Sequence, residues 1–372
     1  MALDALPGWR AVLTRRGELD ESDVRIRPGR RSSRPRSKLR PEHADAVDAM
    51  VIGVDRGRWT CVLDGAWEGG SGGASGGNAD GGSGGNADGG SGGDSDGASV
   101  RRVVAMRARE LGRTPVVVGD RVGLVGDLSG APDSLARIVR VAERTSVLRR
   151  TADDTDPFER MIVANASQLG IVASLADPPP RLGLIDRCVV AAYAGGLSPL
   201  LVLTKADLAP PDDLVAQYAD LDIPAVVCRL GEPPPELRAA LAGRLSALVG
   251  HSGVGKSTLV NALVPTAARA VGAVSAIGKG RHTSSSVVAL PLPGGGWVID
   301  TPGIRSFGLA HVRPDDVVTA FADLADAIED CPRGCGHLGP PADPECALDQ
   351  LTGTAARRAQ SVRRLLLALA GG

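Results

Sequence analysis

Gly250-His251-Ser252-Gly253-Val254-Gly255-Lys256-Ser257 is the stretch on which the reading of this chain turns. It matches G-x-x-x-x-G-K-[ST], in which glycines let the backbone wrap an anion so that successive N–H groups point at phosphate oxygens. An apolar strand is predicted before it, over 247–250, and a helix after it, over 256–263. That helix would turn its positive end toward the phosphates. Lys256 is the residue type that reaches β- and γ-phosphates, and Ser257 offers a hydroxyl to Mg²⁺. Gly250, Ser252, Gly253, Val254, Gly255, Lys256, Ser257 and Thr258 are therefore candidate nucleotide-binding residues.

Three further segments acquire meaning beside this loop. Asp300-Thr301-Pro302-Gly303 ends an apolar segment, 297–300. A carboxylate at a strand end can hold Mg²⁺ through water, and the Gly303 amide can approach a γ-phosphate. Thr204-Lys205-Ala206-Asp207 follows the apolar strand 200–203. Asp207 can accept hydrogen bonds from guanine N1–H and N2–H₂, a donor pair that adenine lacks, so guanine is the favoured base. Lys205 would lay its stem over the base or brace the phosphate loop. Between the phosphate loop and Asp300, Gly278-Lys279-Gly280-Arg281-His282-Thr283-Ser284-Ser285 suits a loop that orders when Thr283 or Ser284 ligates Mg²⁺.

The order of these pieces is unusual. In a Ras-like chain the phosphate loop comes first and [NT]-K-x-D late; here Thr204–Asp207 precedes 250–257, which precedes 300–303. Circular permutation is the simplest account, with an unchanged sheet entered near the base-reading strand. Ile304 occupies the usual place of a water-orienting Gln and cannot polarise water, so intrinsic hydrolysis should be slow or use another group. His282 is the internal candidate, as a catalytic group or as an exposed loop histidine, with Arg281 and Arg305 as other charge stabilisers.

Working outward, residues 151–308 alternate strands and helices, which implies a mostly parallel sheet covered on both faces. A helix is expected at 185–194, a strand at 225–228, and a hairpin of 287–290 and 297–300 across Gly294-Gly295-Gly296. Residues 44–150 read as short strands at 51–54, 59–63, 102–107, 116–118, 121–125 and 136–141, a compact β-barrel of OB type. The tandem Gly-Gly-Ser-Gly-Gly-Asn-Ala-Asp of 69–97 reads as a flexible insertion. Residues 309–372 turn helical, with helices expected at 314–330 and 355–370, the latter with an apolar face of Val362, Leu365, Leu366 and Leu369. Between them Cys331, Cys335, His337 and Cys346 offer three thiolates and an imidazole, a full tetrahedral shell for one structural Zn²⁺. Cys61, Cys188 and Cys228 read as isolated buried thiols. The fold expected is multidomain: OB-fold β-barrel, circularly permuted α/β P-loop GTPase domain, and a small α-helical zinc-binding domain.

Composition bounds the partners. The chain has 372 residues with 42 Lys+Arg against 43 Asp+Glu, which excludes a wholly basic nucleic-acid coat protein. Residues 1–43 nevertheless carry eleven basic and six acidic side chains and few apolar ones, an Arg-rich tail expected to be disordered when free and suited to phosphate-backbone contact. Four of the 42 basic residues are lysines, and Lys205, Lys256 and Lys279 all fall in the segments above. No apolar run approaches the ~18–20 residues of a membrane span, and no secretory signal is evident, so a cytoplasmic protein without a membrane is expected. Aromatics are 2%, so RNA contacts should be through phosphate and shape rather than base stacking.

The motif order 204–207, 250–257, Gly280-Arg281-His282-Thr283, 300–303, and then Cys331, Cys335, His337 and Cys346 resembles the bacterial small-ribosomal-subunit-dependent GTPase A family (RsgA, also called YjeQ). Asn165 and Ile185-Asp186-Arg187 look like family positions as well. The resemblance spans residue 44 to the C-terminus. It implies GTP hydrolysis stimulated by the small (30S) subunit, late maturation of that subunit through 16S rRNA binding, GTP/GDP, Mg²⁺ and one Zn²⁺, and a catalytic part for the residue matched by His282. No DNA partner is expected, and a monomer is the default for a factor that docks on a large particle. This chain departs from the family in Ser284 and Ser285 where threonines are usual, in the spacing of its cysteines, and in Cys228-Arg229-Leu230 where Ser-Ala usually buttresses guanine. An RNA-binding scaffold that uses GTP as a conformational lock is the alternative.

Overall fold

The structure is a computed structural model that describes residues 43–64, 101–151, 158–229, 233–265, 287–302 and 308–370. The Arg-rich tail, except His43, and the Gly-rich insertion lie outside these residues.

Strands β1 (Val47–Asp55), β2 (Arg58–Leu63), β3 (Arg102–Arg107), β4 (Arg121–Gly126) and β5 (Ala136–Val141) form the first unit. They close in the order β1-β2-β3-β5-β4, with β4 returning to β1. Only β3 and β5 run parallel, the closure of an OB-type Greek-key barrel. One strand, β1, serves both ends of the circle: residues 47–50 pair with β4, and 49–55 pair with β2. A register shift between Val51 and Gly53 bends it between the two partners. Ala49, Val51, Cys61, Val103, Ala105, Leu124 and Ile138 fill the barrel. Met50, Ile52 and Val62 face the other way, into the core of the α/β unit. Burial on both faces is why 49–52 is an unbroken apolar run.

Residues 116–118, expected as a strand, make a single bridge from Val118 to Val163. Asp120 is the cause: its Oδ2 accepts the Val117 N–H at 2.8 Å, so a side chain takes the place of a ladder partner. Gly119 then turns at φ +91°, where a Cβ would lie 1.9 Å from the Ala164 carbonyl oxygen.

A two-stranded ribbon, β6 (Val147–Arg150) and β7 (Arg160–Ala164), leads into the α/β unit. Its elements are β8 (Gln168–Ser174), α1 (Leu182–Ala194), β9 (Ser198–Thr204), α2 (Asp212–Tyr218), β10 (Ala225–Val227), α3 (Pro235–Leu241), β11 (Leu245–Gly250), α4 (Lys256–Leu263), β12 (Val288–Pro291) and β13 (Trp297–Asp300). The sheet order is β10-β9-β8-β11-β13-β12, parallel except for β12. Side chains alternate between two buried faces. Leu169, Ile171, Leu201, Leu203, Ala247 and Val249 pack under α1 and α2. Val172, Leu200, Val202, Leu248 and Val298 pack under α3 and α4. The barrel joins the sheet's edge at one residue pair, Gly53 and Val288.

The chain then adds α5 (Pro314–Val318), α6 (Ala322–Ile328) and α7 (Gly353–Ala370). One helix was expected over 314–330, and the structure divides it. Phe321 sits at φ −113°, ψ 109°, and its ring meets Tyr193 edge-on at 4.8 Å. Burying that ring is worth about 1.5–3 kcal/mol, more than a few extra helical residues return. Val362, Leu365 and Leu366 of α7 are buried in the same core as α1, with Leu369 half-buried beside them. Polar contacts add to this: Arg187 Nη1 donates to the Ala368 carbonyl at 2.6 Å, and Arg364 Nη1 to the Gln217 carbonyl at 2.9 Å. Among the described residues no helix is long and apolar enough to cross a membrane.

Candidate nucleotide site and metal centre

Parallel strands collect their following loops at one edge, and that edge is where α/β sheets bind ligands. Here β9, β11 and β13 deliver 204–207, 250–257 and Asp300 to the same edge. The phosphate loop has the backbone that its glycines foretold, with φ +86° at Gly253 and +89° at Gly255. A Cβ on Gly250 would lie 2.6 Å from the Val172 carbonyl oxygen, so the loop leaves the sheet where only glycine fits. Ser252, Ser257 and Thr258 are exposed, and Val254 is buried beneath the loop. Lys256 opens α4 with its side chain buried, and its ammonium bonds the Asp300 carboxylate and the Thr301 carbonyl oxygen. Thr301 Oγ1 in turn donates to the Leu248 carbonyl at 2.7 Å, tying β13 to β11.

Thr204 is buried, and its hydroxyl donates to the Val254 carbonyl at 2.6 Å. The 204–207 segment is thus fastened to the 250–257 loop. Lys205 adopts φ +60°, with its ammonium bonded to the Asp177 carbonyl. Asp207 is exposed. Ala206 N–H donates to the Cys228 carbonyl at 3.2 Å, so the segment without Ser-Ala still supports the base loop through its backbone. Sequence reading passed over the strap that underlies Lys205. Ser174 Oγ donates to the Pro178 carbonyl at 2.7 Å and fixes the Asp177-Pro178-Pro179-Pro180 turn against the loop. A proline run that follows an apolar strand after three intervening residues was the available signal. His282, Thr283, Ser284 and Gly303, with Arg281, Ile304 and Arg305, lie outside the described residues.

The second cluster is built by the loop between α6 and α7. The ligand atoms of Cys331, Cys335, His337 and Cys346 all lie within 4.8 Å of one another. Cys331 Sγ stands 3.6 Å from His337 Nδ1. A tetrahedral ion with Zn–S and Zn–N bonds of ordinary length sets that edge at about 3.5 Å. The His337 N–H points to Cys335 Sγ and the Ala347 N–H to Cys331 Sγ, both at 3.4 Å, which suits thiolate sulfur. Asp343 holds the loop by accepting the Gly336 and Leu338 N–H groups at 3.0 and 2.9 Å. The four side chains fit a metal ion. Cys61, Cys188 and Cys228 are free and buried, and burial pushes their thiols up to about 12, 12 and 11.

A family model described as RsgA GTPase matches residues 141–310. The small ribosomal subunit biogenesis GTPase RsgA of Azotobacter vinelandii is 41% identical over 243 residues, covering 63% of this chain and 68% of that protein. The protein of the same name from Chlorobaculum parvum is 38% identical over 259 residues, covering 67% of this chain and 82% of its own. The chain belongs to the RsgA family. RsgA proteins are GTPases of ribosome biogenesis, and this chain is accordingly a GTP hydrolase that uses GTP/GDP and Mg²⁺. In fold it is similar to the crystal structure of YjeQ from Thermotoga maritima, with TM-score 0.58 at 23% identity over 88% of this chain and 99% of that one. It is also similar to YloQ, described as a circularly permuted GTPase, with TM-score 0.56 at 20% identity, covering 90% and 98%. The permutation is visible in the sheet: starting the chain at β11 and running on from β13 into β8 restores phosphate loop first and base loop last.

The other residues on which the RsgA resemblance rested prove to be joints. Asn165, at φ +55°, accepts the Thr145 N–H at 2.9 Å and donates to the Gly119 carbonyl of the barrel unit at 2.9 Å. Asp186 is buried in α1 and accepts the Tyr218 hydroxyl at 2.7 Å. Burial raises its carboxyl above the usual range, against the pull of Tyr218 and Arg364.

Proposed function

We propose that this chain hydrolyses GTP to GDP and phosphate when it docks on the small ribosomal subunit, and that it acts in late maturation of that subunit through 16S rRNA. The observation that carries this reading is the convergence of Thr204–Asp207, the 250–257 loop and Asp300 on one sheet edge, in permuted order. In this reading the loop amides and Lys256 hold the β- and γ-phosphates, and Lys256 leaves Asp300 to do so. Asp207 reads guanine, with Lys205 laying its stem over the base or bracing the phosphate loop. Ser257, Thr283 and Asp300 would hold Mg²⁺, which when bound would neutralise phosphate charge. Gly303 and Ser284 follow the γ-phosphate, and His282 takes the water-orienting part that Ile304 cannot.

We assign one structural Zn²⁺ to Cys331, Cys335, His337 and Cys346, since four protein ligands leave no position for a substrate. For rRNA, Arg56 and Arg58 at the β1–β2 turn and Arg109 and Arg113 after β3 are exposed at one end of the barrel. They suit phosphate contact, joined by the N-terminal arginines. A cytoplasmic monomer fits these parts. The test is nucleotide turnover by the full chain. We expect Mg²⁺-dependent hydrolysis of GTP over ATP, reduced at least 100-fold in Lys256→Ala; equal use of ATP would overturn the guanine assignment.

A further inference from the structure

His337 is the cluster's one imidazole, and it is 3% exposed. A ring in that position can present either nitrogen, so something must choose. His337 Nε2 lies 2.9 Å from Asp315 Oδ1. A carboxylate only accepts, so Nε2 carries the proton and Nδ1 keeps its lone pair. Nδ1 is the atom that stands 3.6 Å from Cys331 Sγ and faces the three sulfurs. The residue's backbone is held as well: its N–H points to Cys335 Sγ, and its carbonyl accepts Arg363 Nε at 3.1 Å. Asp315 is not in the metal loop. It belongs to the first turn of α5, whose entry is capped by Asp316 accepting the Arg313 N–H at 2.9 Å.

We propose that Asp315 is the positioning residue of the metal centre. It fixes the tautomer and plane of His337 from outside the cysteine loop, so that the ion binds α5 to the loop as well as closing the loop on itself. This rests on the reading of the cluster as a metal site. Carboxylates that orient a ligating imidazole in this way typically account for 10–100-fold in metal affinity. The consequence for the fold is that metal binding holds α5, which follows directly on the segment leaving Asp300 and packs Val317 and Val318 into the core beside α1.

The test is metal affinity of the full chain, measured with Zn²⁺ in competition with a chelator of known affinity and with Co²⁺ by its absorption bands. Wild type should bind one ion. Asp315→Ala should bind it 10–100-fold more weakly, with Co²⁺ bands that still report three thiolates and one imidazole. Asp315→Asn keeps an acceptor for Nε2–H but no charge, and should fall between the two. Thr319→Val removes only the hydroxyl bond to the Asp315 backbone carbonyl and should leave the affinity unchanged. Affinity of Asp315→Ala and Asp315→Asn within twofold of wild type would overturn the proposal and leave the metal site standing. Loss equal in Thr319→Val and Asp315→Ala would also overturn it, because α5 folding and not the carboxylate would then be the cause. A wild-type chain that binds no ion would overturn both the proposal and the metal site on which it rests.

Discussion

At the scale of single residues, the nucleotide edge is held by short buried polar bonds between segments far apart in sequence. Thr204 is the clearest case, since its hydroxyl satisfies a carbonyl fifty residues away in the phosphate loop. Thr204→Val keeps the shape and strands that carbonyl, which should cost about 1–3 kcal/mol. Equilibrium denaturation reads the loss, and GDP affinity should fall with it because the loop loses its anchor. Asp186 makes a different prediction. Its carboxyl is raised by burial, so the folded state binds its proton more tightly than the unfolded one does. The sign follows: wild-type stability from this group is present below the ordinary carboxylate range and is lost as pH rises through the raised value. Asp186→Asn removes that slope and still accepts the Tyr218 hydroxyl. Denaturation midpoints measured from pH 4 to pH 7 should therefore move in favour of the variant as pH rises.

At the scale of elements, local pattern gave what local forces decide. The loop 250–257 could be read because a glycine backbone, a strand and a helix must coincide within a few residues, and α4 spans Lys256–Leu263 as expected. The β12–β13 hairpin and the β1–β2 turn were legible for the same reason. Where distant groups intervene, the pattern misled. Residues 116–118 carry strand composition, yet Asp120 claims an amide there and leaves one bridge. The helix expected over 314–330 is divided because Phe321 finds Tyr193, 128 positions earlier in the chain. Asn165, Asp186 and Arg187 could be matched to a family but not given a job, since each acts on a partner that only folding supplies. Asp315 carried no signal at all: nothing in a first-turn aspartate foretells an imidazole twenty-two residues on.

At the scale of the whole molecule, the described residues form one connected body rather than three separate beads. The α7 helix shares the core of the α/β sheet, and the barrel lends Met50, Ile52 and Val62 to it. Arg144 and Asp120 make a polar tie at the barrel, bonded at 2.6 and 2.9 Å with Asp120 fully buried. Arg144→Ala should leave that carboxylate buried without its partner, a loss of about 3–5 kcal/mol. Calorimetry should show it as a lowered transition, and separation into two transitions would mark the barrel melting first. A body so joined can carry a docking event at the barrel or at the cysteine loop toward the sheet edge to which we assign GTP. That is what the proposed control by the small subunit requires of a chain with Ile304 where a water-orienting Gln is usual.

The central claim, hydrolysis of GTP gated by the small ribosomal subunit, is met most directly by one measurement: GTP turnover by the full chain alone and with purified small subunits, with Lys256→Ala beside it. Slow turnover alone, raised at least tenfold by subunits and absent in the variant, is the expected result. GTP binding with turnover that stays flat as subunits are added would contradict it and leave a GTP-locked RNA-binding factor in its place.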